Sequence, residues 1–183
     1  MPVGATLAIS EETADPDPAA EGLRDARRAR NYAPFLDALA NDDFVGVQTY
    51  ARNHARADGD TWPHPDAPVT TMGWEDRPEA LGAACRWIAS RWKVPMIVTE
   101  NGYPGADDTR RAAFIETALA GLRSAIAEGA DVRGYFYWSL LDNFEWMLGY
   151  RQRFGLVAAD RARFERSVKP SAYALKALIK SQA

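Results

Sequence analysis

The feature that most constrains this chain is an alternation of two periodicities. Short apolar, β-branched runs recur at residues 3–9, 44–50, 96–99 and 132–140. Between and after them lie helix-period stretches at 23–40, 78–92, 109–128 and 171–180. Strands separated by amphipathic helices of this length favour a parallel sheet with helical crossovers, because parallel neighbours need a long return path. Pro78 suits the first turn of its helix, and Gly129 sits where a left-handed C-cap would close the third. The pattern predicts one α/β domain over residues 1–183. A closed barrel of eight strand–helix units takes about 250 residues. Four units therefore make either half a barrel or a small open sheet.

One strand ends unusually. In PMIVTENGYPG, residues 95–105, an apolar run delivers Glu100 to a point where Asn101, Gly102 and Pro104 turn the chain. A carboxylate at the end of a buried strand is costly unless it is paired, hydrogen-bonded or used chemically. The bland alternative is a carboxylate paired with an arginine inside the fold. A second dense segment, residues 134–160, sets Trp138, Glu145, Trp146, Tyr150 and Phe154 around a strand and the loop after it. Aromatic faces beside carboxylates suit a sugar ring, whose C–H faces stack on indoles while its hydroxyls donate to charged oxygens.

These residues carry a resemblance. The sequence resembles the C-terminal half of a glycoside hydrolase family 1 β-glucosidase. Residues 99–102 match the family's TENG motif, and 138–146 match WSLLDNFEW in full. DFVGVQTY at 43–50 resembles the family's DFxGxNxY, with Gln48 where many members carry Asn. MGWE at 72–75 and RFGLV at 153–157 also match. The resemblance implies a (β/α)8 TIM barrel of which the four strands here are strands five to eight. It implies a retaining β-glucosidase in which Glu100 is the nucleophile and Tyr50 orients it. A hydroxyl donor beside such a carboxylate favours its charged form. It also implies substrate contacts from Gln48, Trp138, Glu145, Trp146 and Phe154, with Trp138 as a stacking platform before a non-prolyl cis bond to Ser139. The structural alternatives are a loop carboxylate in solvent for Glu145 and a core aromatic for Trp138. The family's acid/base glutamate, carried in an Asn-Glu-Pro motif after strand four, has no counterpart in these 183 residues.

The resemblance implies a β-glucoside as substrate and no cofactor or metal. It further implies that the unpaired strands at either side of a half-barrel seek a homodimer partner or a complementary N-terminal half-barrel. A non-catalytic self-associating scaffold or a sugar-binding fragment uses the same residues. Net charge of −3 argues against nucleic acid, and Arg24, Arg27, Arg28 and Arg30 read as a solvated helix face. No segment approaches the apolar length of a membrane helix, and the N-terminal residues lack a basic leader, so a cytoplasmic location is expected. Cys85 is the sole cysteine, on the apolar side of a helix, which predicts burial. Trp74, Trp87 and Trp92 read as packing, and His54 and His64 lie without metal-ligand spacing in a polar, proline-rich loop over 53–70.

Overall fold

The computed structural model describes residues 1–61, 63–64 and 66–181. In chain order it contains β1 (Thr6–Ala8), β2 (Glu11–Ala14), α1 (Pro18–Asn31), α2 (Ala33–Leu39), β3 (Val45–Gln48), β4 (Arg52–Arg56) and β5 (Gly59–Thr61). There follow α3 (Ala80–Arg91), β6 (Met96–Glu100), α4 (Asp108–Ala127), β7 (Val132–Tyr135), β8 (Val157–Asp160), β9 (Glu165–Val168) and α5 (Pro170–Lys180). The central sheet has the order β1-β3-β6-β7, every pair parallel. Its helical crossovers are those the alternating periodicities predict. The register sets Leu7 opposite Val47, Val47 opposite Val98, and Val98 opposite Tyr135. A shift after Val47 then brings Gln48 opposite Glu100.

Alternation along the strands separates core from site. Val45, Val47, Met96 and Val98 are fully buried and join Leu81, Ile88 and Phe114 of α3 and α4 in one apolar cluster. Ile97 and Thr99, on the opposite face, are half-buried. Cys85 lies in the core as a free thiol, and burial pushes its pKa up to about 12. Helix α4 starts where the Asp107 carboxylate accepts from the Arg110 amide at 3.1 Å. It stops at Gly129, whose φ of 103° lets its own amide reach Ile126 and the Ala130 amide reach Ala125. Those two bonds satisfy carbonyls that the helix end leaves open.

Several expected bounds are corrected. The helix over 23–40 is two helices, broken at Tyr32, because Pro34 lacks an amide hydrogen and its ring would meet the Arg30 carbonyl of a continuous helix. The strand over 132–140 ends at Tyr135. The 53–70 stretch is not simply a loop: β4 and β5 pair antiparallel, and β4 pairs parallel with β2, in a second sheet ordered β2-β4-β5. Trp62 and Pro65 of that stretch lie outside the described residues.

The arginine run is not merely a solvated face. Arg27 donates to the buried Glu12 carboxylate at 2.9 Å, and Arg28 donates to the Glu12 carbonyl at 2.8 Å while lying over the Trp87 ring. Tyr32 and Asn53 also donate to Glu12, each at 2.8 Å. Burial, with Glu12 beside it, lifts the Tyr32 hydroxyl to a pKa of about 12. His54 has a structural place too, bonded to Thr13 at 2.8 Å and Asp15 at 3.0 Å. Trp87 packs edge-on against both Tyr32 and Trp92, as a packing residue should.

Candidate active site

Glu100 stands at the C-terminal end of β6, where parallel strands present polar side chains clear of the helices. Its Oε1 accepts from Gln48 Nε2 at 2.8 Å and its Oε2 from Tyr50 Oη at 2.7 Å. Gln48 and Tyr50 are two residues apart at the end of the neighbouring strand, so the pleat aims both at one side. Both also line a cleft of about 200 Å³ together with Ala8, Ile9 and Trp74. Burial drives the Tyr50 hydroxyl far above the ordinary phenol range, with the bond to Glu100 adding to the shift. Tyr50 is therefore a fixed donor throughout the neutral range. Its ring packs on Trp74 at 5.1 Å and on Phe154 at 6.0 Å between centroids. Phe154 is 1% exposed. It stands behind Tyr50, packed against the Tyr50 and Trp74 rings.

After β7 the chain turns through a cis bond between Trp138 and Ser139. The Trp138 amide donates to the Asn101 carbonyl at 2.9 Å, which docks this segment against the end of β6. The indole Nε1 donates to Glu145 Oε1 at 3.3 Å, and Asn143 Nδ2 donates to the same oxygen. Glu145 also lies close enough for its charge to raise the Tyr50 pKa further. Trp146, in a short 3-10 turn (Trp146–Leu148), is 84% exposed and stands apart from this group.

The structure thus joins Gln48, Tyr50 and Glu100 directly, and joins Trp138 to Glu145. Two neighbours carry more than their sequence reading suggested. Trp74, read as packing, packs on the residue that bonds Glu100, and Asn101, read as a turn residue, has a buried side chain. Among the described residues no group of three or more His, Cys, Asp or Glu is placed to hold a metal. No described helix is long and apolar enough to cross a membrane.

Gly102 fixes the distance between β6 and the Trp138 segment. A Cβ there would lie 1.9 Å from the Trp138 carbonyl oxygen. Gly102→Ala should therefore lower stability by about 1–3 kcal/mol, the range for overpacking, since a backbone atom cannot step aside as a side chain can. Urea unfolding followed by tryptophan fluorescence reads this. An unchanged midpoint would mean that the segment is not anchored there.

Residues 32–183 match the family model described as glycosyl hydrolase family 1. Among curated proteins, β-glucosidase A of Thermotoga maritima is 34% identical over 174 residues, covering 84% of this chain and 39% of the relative. A β-galactosidase of Pyrococcus woesei is 38% identical over 133 residues, covering 73% and 25%. Among solved structures, the apo structure of a β-glucosidase 1317 superposes with a TM-score of 0.90 at 42% identity, over 98% of this chain and 44% of that one. The β-glucosidase from Thermotoga maritima in complex with glucoimidazole gives 0.89 at 26% identity, over 98% and 51%. The chain spans about half the length of these solved relatives and less of the curated ones. The parallel sheet, the carboxylate at its C-terminal end and a family match across most of the sequence make this chain a member of glycosyl hydrolase family 1.

Proposed function

We propose that the chain carries the nucleophile side of a retaining β-glucosidase site, acting on terminal β-D-glucosyl residues, with its four sheet strands as strands five to eight of the barrel. The observation that carries this is the Glu100 carboxylate held at a strand's C-terminal end by two side-chain donors, Gln48 and Tyr50. Barrel enzymes place their reacting groups at that end of the strands. Glu100 attacks the anomeric carbon and forms an ester bond to it. The bond to the leaving oxygen breaks, and that oxygen takes a proton from an acid; water then hydrolyses the ester with the conjugate base accepting its proton. Trp138 stacks on the sugar, Glu145 accepts from its hydroxyls, and Gln48 shares its amide between Glu100 and the sugar. Exposed Trp146 offers its indole as a further contact to the substrate.

The acid comes from the complementary N-terminal half of the barrel; a second copy of this chain closes the barrel without bringing that glutamate, so weak activity at best follows from a homodimer. Strands β1 and β7 each have one partner in the central sheet, and unpaired edges favour closure by another chain. An apolar groove of about 540 Å³ along the β7 edge, lined by Leu122, Ile126, Val132, Tyr135, Leu178 and Ile179, supports docking there.

Light scattering of the chain, alone and with a separately made complementary half, followed by reaction with a 2-deoxy-2-fluoro glucoside, tests the reading. An assembled species should carry the covalent sugar on Glu100. A label on Glu145 or Glu75 would overturn the assignment, and a stable monomer at micromolar concentration that ignores the added half would overturn the assembly.

A further inference from the structure

The Asn101 side chain is 1% exposed, although the residue sits in a turn directly after the strand. Both ends of its amide are used, and each reaches a different strand. Nδ2 donates to the Thr49 carbonyl at 2.8 Å, between the two residues whose side chains bond Glu100. Oδ1 accepts from Tyr135 Oη at 3.0 Å, at the last residue of β7. The network continues through the backbone. The Thr49 amide donates to the Glu100 carbonyl at 3.1 Å, Thr49 Oγ1 donates to the Ile9 carbonyl at 2.7 Å, and the Trp138 amide donates to the Asn101 carbonyl at 2.9 Å. A row of bonds therefore crosses the C-terminal ends of all four sheet strands, with the Asn101 amide at its centre.

We infer that Asn101, braced by Tyr135, is a positioning residue that fixes Gln48 and Tyr50 against Glu100. The inference rests on the proposed role of Glu100, but its geometry stands without it. The β3–β6 ladder ends, after its register shift, at the pair Gln48 and Glu100, so the ladder itself does not dictate where Tyr50 comes to rest. The bond from Asn101 to the Thr49 carbonyl supplies that constraint from the side of the carboxylate. The amide suits both partners at once, giving the Thr49 carbonyl a donor and the Tyr135 hydroxyl an acceptor. An aspartate in its charged form would face the Thr49 carbonyl with no hydrogen to give. The Tyr135 hydroxyl is itself buried, and burial raises its pKa well beyond the ordinary phenol range, so it remains a donor.

The test reads the Tyr50 hydroxyl proton, which should give a discrete, slowly exchanging downfield signal in the proton NMR spectrum of the full chain, identified by its loss in Tyr50→Phe. In Asn101→Ala the proton should exchange about two- to tenfold faster, corresponding to the net worth of one hydrogen bond. Tyr135→Phe should move it in the same direction by less, and it serves where Asn101→Ala does not fold. The control is Leu36→Ala, a core truncation on α2 that lowers global stability without touching the row. Equal exchange in Asn101→Ala or Tyr135→Phe and the parent overturns the inference. So does an equal acceleration in Leu36→Ala, or the absence of a slow Tyr50 proton in the parent. No substrate is present, so a failure of the glycosidase reading shows in the covalent labelling of Glu100 and a failure of the positioning role shows here.

Discussion

Assayed by itself on cellobiose, the 183-residue chain is expected to turn over about 100 to 10,000 times more slowly than the same chain combined with a barrel half that carries an acid/base carboxyl. The leaving oxygen of a glucose unit is a poor leaving group unless it is protonated as the bond breaks. Within the chain the other glutamates of the matched motifs are committed elsewhere. Glu145 is held by Trp138 and Asn143, and Glu75 is 3% exposed and paired with Arg52. With a dinitrophenyl glucoside, whose leaving group departs without a proton, the gap between the chain and the combined protein should narrow. Glu100→Gln should remove activity toward both substrates, because no bond to the anomeric carbon then forms. A chain shown by sedimentation to be monomeric, yet cleaving cellobiose as fast as the combined protein, would falsify the division of labour proposed between the two barrel halves.

The elements that place Glu100 were legible because their sequence signals are local and apolar. Met96 and Val98 mark the strand, and Asn101 and Gly102 mark its end. Gly129 closes α4 by capping chemistry that is visible in the sequence. The second sheet was not legible for the opposite reason. Glu11–Ala14 and Arg52–Arg56 are polar, without the apolar alternation that announces a strand, and what holds them is the convergence of Arg27, Tyr32 and Asn53 on Glu12, residues up to 41 positions apart. The break between α1 and α2 had a readable signal in Pro34, which the helical periodicity on either side obscured. Phe154 illustrates a different limit. An aromatic in a matched motif reads as a ligand contact, and its packing against Tyr50 and Trp74 is visible only in the tertiary structure. Asn101 reads as a turn residue for the same reason, since the two partners that give it work lie 52 and 34 residues away.

Arg111 is the residue whose loss should destabilise the fold most. It lies in the first turns of α4 and is fully buried. Its guanidinium donates to the Gly105 carbonyl in the loop after β6, to the Arg153 carbonyl in the segment before β8, and to Asp108. Asp108 in turn accepts from both the amide and the hydroxyl of Ser171 at the start of α5, bonds that help hold its carboxyl below the usual carboxylate range despite burial. One planar fork therefore ties two loops and two helices. Arg111→Met fills much of the volume but leaves two buried carbonyls and a carboxylate short of donors, which should cost about 3–5 kcal/mol. Arg111→Lys keeps the charge without the fork and should fall between the two. The urea midpoint should drop while the slope of the transition stays the same. The effect should also reach the site, because Arg153 immediately precedes Phe154, and Phe154 packs on the ring of Tyr50. In Arg111→Met the near-ultraviolet circular dichroism of the Tyr50, Trp74 and Phe154 cluster should weaken in protein that is still folded. A loss of less than about 1 kcal/mol would show that water or neighbouring donors replace the guanidinium, and that the 151–156 segment is held by its other bonds: Arg153 to Pro104, Gly155 to Asp142 and Leu156 to Ser139.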